Sequence, residues 1–458
     1  MIFGLLTLIM AQAITMQSDN ANYQGNCLNL EGNIVLDHPM GKIEADIASV
    51  ISTDPFNHSR EVKEIELKNN VSFKLKDGAH FVCETAHLLP QQQSASFFGN
   101  YPLVTYRDSH RDKKGRLMKF ELQSPQIEVI FNSTTSAKQV SQSVEKLYTE
   151  QKAYLNYNQV FRATADHATY QRPETITLLS DNNPATIRYL DKDEIFAQEI
   201  AILTQQQILT FLQPNGKIAS YEGLQQPLIF SCQKLVWHEL TGQLRMMKQV
   251  ELDHGTFGHF YNDEQLTLAR HSKKNELSTL LATGFTTVCY PRNENDQTQL
   301  TCRRQLLLDH QKLTAFLTSP DNEQVVLTDF LGEIRSDEAI IHYTLQNGQY
   351  LPSLIQLMGN VQLINTQSLD VTTSKPVQRY ALADRVDYFL NSDEITLNAK
   401  PGKRVMLYDK LNERYLSAKT IYISQDSKTH REVVRGEGNV RMLFQDEELA
   451  QFKNQFHF

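Results

Sequence analysis

One short strand pattern returns along the chain, and its recurrence constrains the fold more than any other feature. It reads Leu30-Glu31-Gly32-Asn33-Ile34-Val35-Leu36, then Leu67-Lys68-Asn69-Asn70-Val71-Ser72-Phe73, then Leu357-Met358-Gly359-Asn360-Val361-Gln362-Leu363, and again Gly436-Glu437-Gly438-Asn439-Val440-Arg441-Met442. Met246 to Leu252 is a degraded fifth copy. Around the Gly-Asn pair, apolar residues fall at every second position, so each copy reads as a strand with one buried face. Gly and Asn tolerate positive φ, which predicts a bulge or bend at the pair. The same bend in each copy stacks the strands into a curved, continuous sheet.

A second strand pattern recurs as Ala165-Asp166-His167-Ala168-Thr169-Tyr170 and Ala383-Asp384-Arg385-Val386-Asp387-Tyr388, more loosely over Asp337 to Tyr343. Elsewhere the chain consists of short alternating runs cut by Gly, Asn and Asp, the signature of half-buried antiparallel strands. In the clearest unit they fall at 383–390, 394–398, 404–408, 414–424 and 433–443. Helical spacing is confined to Ala137 to Tyr154, where Val140, Val144 and Leu147 share a face and predict a linker helix. The 458 residues, 40% of them hydrophobic, suit a repeat array with a substantial core. Three β modules are expected, at 20–132, 145–345 and 350–458.

The formal net charge is -8, which argues against a nucleic-acid partner, since such a partner demands a concentrated basic face. The apolar run Ile2 to Ile14 would span about 20 Å as a helix, short of the roughly 30 Å core of a bilayer. With the small-residue site Ala11-Gln12-Ala13 behind it, it reads as a signal peptide over residues 1–13, although no Lys or Arg precedes it. Left uncleaved, it would anchor the chain to the inner membrane. The five cysteines show no zinc spacing. Cys289 and Cys302 flank a polar segment and form the pair best placed for a disulfide; five reduced thiols fit equally well.

No nucleophile elbow, phosphate loop, zinc helix or dinucleotide fingerprint is present. His254 and His259 read as surface histidines beside a turn, and Asp384 and Asp387 as solvated or turn-supporting. Trp237 reads as a packing residue, and Arg107 to Arg116 as a solvated loop. The chain is therefore expected to be no enzyme and to need no cofactor or metal.

The recurring strands resemble the OstA-like family, the periplasmic part of lipopolysaccharide transport. The likeness is best over 380–444 and next best over 27–85. It rests on the Gly-Asn-Val strand, the Ala-Asp-x-x-x-Tyr strand and the Ala418 to Ile423 strand, in their order and repetition. The resemblance implies an all-β, open, twisted β-jellyroll of stacked antiparallel strands with a V-shaped section. It further implies a periplasmic location, an indirect association with membranes, and carriage of lipopolysaccharide or a related glycolipid between inner and outer membrane. Similar jellyroll proteins would join it by pairing edge strands. This chain is longer than the single bridge proteins of the family and shows no recognisable barrel, so either a fused, multi-module bridge or a divergent relative with a changed cargo is expected.

Alternation places Val386, Tyr388, Ile395, Leu397, Val405 and Leu407 on the inward face of the last module, with Val440 and Met442 closing it. Leu30, Ile34, Leu36, Ile65, Leu67, Val71 and Phe73 are their counterparts in the first. On the resemblance these residues line a lipid groove. The same alternation also serves a closed sandwich core, as in a scaffold protein of the envelope that uses the fold for protein contacts.

Overall fold

The computed structural model describes residues 15–38, 41–53, 62–112, 114–136, 139–222, 226–255, 257–271, 275–291, 297–329, 332–346, 349–369, 376–410, 413–425, 432–442 and 446–456. The expected signal peptide lies outside them. The architecture is all-β and antiparallel, as the alternation requires. The chain divides into two compact units. One comprises Met1–Pro214 with Val236–Leu240, the other Asn215–Leu235 with Thr241–Phe458. The boundary falls inside the expected middle module.

The first unit opens with four long strands paired in succession: Cys27–His38, Gly41–Ser52, Val62–Leu75 and His80–Leu89. The register breaks between Glu31 and Ile34 and between Lys68 and Val71, at the recurring motif. Both motif residues adopt positive φ: Gly32 at 77° and Asn33 at 44°, Asn69 at 61° and Asn70 at 50°. Each bend is locked from the side. Asn33 donates its Nδ2–H to Asp19 (2.8 Å), and Asn70 donates to Asp46 (2.7 Å).

Along His80–Leu89 the pairing divides. Residues 85–89 pair with Ser94–Phe98, and residues 80–82 pair with Val104–Arg111. Two ladders follow. One runs through Gln126–Ser136, Gln139–Thr149, His167–Gln171, Thr175–Leu179, Glu199–Leu203 and Ile208–Leu212. The other runs through Leu117–Ser124, Ala153–Tyr157, Phe161–Ala165, Ala185–Tyr189 and Asp193–Ala197. The chain adds one hairpin to each ladder in turn. Five-residue strands are about 17 Å long, enough to bury two or three side chains each on the inner face.

The second unit repeats the scheme. One ladder includes Val250–His254, Gly258–Asn262, Thr286–Pro291, Gln297–Cys302, Val325–Asp329 and Gly332–Ser336. The other includes Gln265–Arg270, Leu277–Thr283, Gln305–Asp309, Thr314–Thr318 and Glu338–Gln346. Both end on the long strand Gln349–Leu369, bent at Gly359 and Asn360. The next strand, Pro376–Phe389, divides the pairing again between Glu394–Asn398 and Val405–Asp409. The degraded motif copy also bends, with Lys248 and Gln249 both at positive φ.

Three expectations change here. Ala137 to Tyr154 is no helix but the strands Gln139–Thr149 and Ala153–Tyr157. A bulge at Glu145 inserts one residue, so Val144 and Leu147, three apart, face the same side and imitate helical spacing. The run 414–424 is two strands, Arg414–Ala418 and Thr420–Gln425, broken at Lys419. The chain also carries a helix, Asp446–Phe456, with Asp446, Glu447 and Glu448 in its first turn and Lys453 in its last. Phe452 anchors it against Tyr408 (6.1 Å), and Phe456 lies over Tyr380 (5.1 Å).

Candidate functional site

The inward residues named above, apart from Val440 and Met442, are no more than 5% exposed. The two ladders of each unit press their inner faces together and leave a dry interior. In the first unit aromatic rings fill it: Phe81 stacks on Phe97 at 4.3 Å, and Phe73 lies 6.2 Å from Phe131. Trp237 meets Phe161 and Tyr189 edge-on at 5.5 and 4.8 Å, a packing role as expected. Val440 and Met442 do not close the inner face. The strand Glu432–Glu437 ends before them, and they are 46% and 68% exposed.

The two long edges of each unit are built differently. At one edge the chain crosses from ladder to ladder, and backbone hydrogen bonds run through the crossing residues. Examples are Gln198 N–H to Leu212 C=O (3.1 Å) in the first unit, and Lys248 to Glu264 (2.8 Å) and Asp337 to Gly359 (3.0 Å) in the second. At the opposite edge, where the hairpins turn, side-chain contacts clasp the ladders. In the first unit Arg172, in a turn of one ladder, donates to the buried Asp108 of the other through Nε (2.7 Å) and Nη2 (3.0 Å). It also pairs with Asp77. Tyr106 and Tyr170 donate their hydroxyls to the same Asp108, and burial together with that carboxylate pushes both phenols well above their ordinary pKa. Gln207 donates to Asp112 (2.9 Å), and Tyr157 to the carbonyl of Thr204 (3.2 Å).

In the second unit the clasp is aromatic. His254 and His310 meet through their Nε2 atoms at 3.2 Å, Phe257 lies 4.7 Å from the Tyr343 ring, and the Tyr290 and Tyr343 hydroxyls share a hydrogen bond. His254 is thus buried, not on the surface as expected; His259 is half-buried, its ring 4.5 Å from that of Tyr261 at a tilt of 59°. Burial, and for His254 also its imidazole neighbour, lowers the pKa values to about 3 and about 4.

Near the end of the second unit the hairpin edge parts into a cleft with a cavity of about 50 Å³. Ile334, Leu363, Ile395, Leu407 and Ile423 form its floor, drawn from both ladders. Asp329, Glu333, Asn365, Arg379, Asp393 and Ser424 form its rim. Two of the expected lipid-lining residues, Ile395 and Leu407, thus reach a surface. Val386, Tyr388, Leu397 and Val405 lie fully buried in the packed interior, as do Leu30, Ile34, Leu36, Val71 and Phe73. The rim had no sequence signal, because its members come from four separate hairpins and strands.

The five cysteines are free. Of the two readings of the cysteines, five reduced thiols or a Cys289–Cys302 bridge, the structure has the first. Cys289 pairs with Gln299 and Cys302 with Thr286, so the two are three register positions apart, about 10 Å, beyond the reach of a disulfide. Asp384 supports a turn, accepting from the Lys400 amide (2.8 Å) and pairing with Lys403. Arg107 pairs with Glu121 on the outer face. Among the described residues no three His, Cys, Asp or Glu side chains gather as a metal site, and no helix is long and apolar enough to cross a membrane. No protein-family model matches the chain, and no curated protein matches its sequence.

Proposed function

We propose that this chain is a non-catalytic, OstA-like carrier of lipopolysaccharide or a related envelope glycolipid, holding acyl chains between its ladders in the periplasm. The observation that carries the reading is the cleft, where an apolar floor drawn from both ladders lies beneath a polar rim. That is the arrangement an amphiphile needs. A cavity of about 50 Å³ holds a few water molecules, not an acyl chain, so occupancy requires the ladders to part further. The edge that would part is the one where the hairpins turn, which side-chain contacts clasp. Burying CH₂ groups contributes about 0.8 kcal/mol each, so a twelve-carbon chain supplies about 9 kcal/mol toward that opening.

Photo-crosslinking tests the reading. Probes at Ile395 and Leu407 should form adducts with lipopolysaccharide in cells, and a probe at the outward Arg414 should not. Adducts at neither cleft position in correctly folded protein would refute carriage here. One observation favours a second reading, a scaffold protein of the envelope: the aromatic filling of the first unit resembles a permanent core. In that case the same probes would capture protein partners and no lipid.

A further inference from the structure

We propose that His254 and His310 form a two-coordinate site for copper(I), held between their Nε2 atoms and tying together the two ladders of the second unit. The site is separate from the cleft and does not depend on what the cleft carries. His254 ends the strand Val250–His254 of one ladder, and His310 stands in the turn after Gln305–Asp309 of the other. Their Nε2 atoms face each other at 3.2 Å, and Phe257 covers both rings, 4.7 Å from His254 and 4.8 Å from His310. No motif announces the pair, because 56 positions separate its members.

Hydrogen alone completes this contact poorly. A neutral imidazole has one N–H and one lone pair. The His254 backbone accepts a hydrogen bond from its own ring, which only Nδ1 can supply, so that ring turns its Nε2 lone pair toward His310. His310 must then donate its Nε2–H, which leaves its Nδ1 a bare acceptor, buried and without a hydrogen-bond partner. A metal ion between the Nε2 atoms removes the fault. The hydrogen moves to Nδ1 of His310, where the Ser278 carbonyl favours it. The exchange releases no proton and changes no oxidation state. The choice of ion follows from the ligand count. Among the described residues no third His, Cys, Asp or Glu joins the pair. Zinc and copper(II) ask for four ligands or more, whereas the soft, monovalent copper(I) is content with two neutral nitrogens in line. Burial keeps both rings neutral, and so able to bind, at any pH above about 4. Two metal–nitrogen bonds of about 2.0 Å in line span about 4 Å, so the rings must part by roughly 0.8 Å. His310, half-buried in its turn, is free to make that movement.

The test offers the full chain copper(I) as its bicinchoninate complex, under nitrogen and with the thiols reduced. The chain should withdraw one equivalent, and X-ray absorption at the copper edge should show two nitrogen neighbours and no sulfur. His254→Gln and His310→Gln should each weaken the binding at least tenfold, while His259→Gln, on the outer face, should leave it unchanged. Failure to withdraw copper overturns the site. So do sulfur neighbours, which would place the ion on the free cysteines, and so does a shell of three or more nitrogen or oxygen atoms. Undiminished binding by the folded His254→Gln and His310→Gln chains overturns it as well. Where a variant does not fold, the absorption spectrum of the unaltered chain decides the matter. Each of these results leaves lipid carriage at the cleft untouched.

Discussion

Replacing Asp108 by asparagine tests whether the hairpin edge of the first unit is held by its buried ionic clasp. The Asp108 carboxylate is fully buried and accepts five hydrogen bonds: two from Arg172, one each from the hydroxyls of Tyr106 and Tyr170, and one from the Ser109 amide. Asparagine keeps the shape and one acceptor oxygen but removes the charge facing Arg172, whose side chain is only 13% exposed. Breaking a buried pair from one side costs about 3–5 kcal/mol, because the remaining charge stays desolvated. Arg172 keeps its contact with Asp77, which places the expected loss near the lower end, about 3 kcal/mol. For a unit of this size that lowers the melting temperature by roughly 6–12 °C. The single tryptophan offers a local readout. Trp237 is buried in the first unit against Phe161 and Tyr189, so its emission follows the melting of that unit. The control is Arg107→Gln one position earlier in the chain. It breaks an exposed pair with Glu121 and should cost no more than about 0.5 kcal/mol. A shift for Asp108→Asn below about 2 °C would refute the view that this edge depends on the clasp.

Two further outcomes follow from the same geometry. The unfolded chain protonates His254 and His310 near their ordinary pKa of 6.5, whereas the folded chain resists protonation down to about 3 and about 4. Stability from this pair is therefore complete above pH 6.5 and declines as pH falls, by up to about 1.4 kcal/mol per pH unit for each histidine. Urea midpoints followed by circular dichroism should drop between pH 7 and pH 5, and less steeply in a His254→Gln variant; equal slopes would exclude the pair as the cause. Gly359→Ala should destabilise the second unit by about 3 kcal/mol, from the left-handed φ of 77° and from loss of the 2.9 Å bond between Asn360 and Asp337. A new Cβ there would come within 2.3 Å of the Asp337 carboxylate, whereas Gly402, at φ 83°, has open space beside it. Equal urea midpoints for Gly359→Ala and Gly402→Ala would show that the carboxylate contact is irrelevant.

Much of the fold was legible because its causes are local. A strand that must bend needs residues that accept positive φ, and Gly32-Asn33, Asn69-Asn70 and Gly359-Asn360 announce each bend by type. Strict alternation told which side chains turn inward, and all the named ones save Val440 and Met442 are buried. Where local rules failed, the cause was an inserted or missing neighbour. The bulge at Glu145 gave Val144 and Leu147 a false helical spacing. The strand holding Val440 and Met442 ends early and leaves them in solvent. The final helix did leave a signal, in acidic residues at its start and a lysine at its end, but the surrounding strand pattern concealed it.

By itself, then, the order of residues determined that this protein is a stack of bent antiparallel strands, and which face of each strand avoids water. Both follow from φ preferences and a two-residue period, which act within a few positions of the chain. Only the tertiary structure decided how the edges close and where the cleft opens. Arg172 finds Asp108 across 64 positions of sequence, and the cleft floor joins Ile334 to Ile423. Those meetings depend on how many hairpins each ladder has stacked before them, a sum over the whole unit that no short stretch of sequence records.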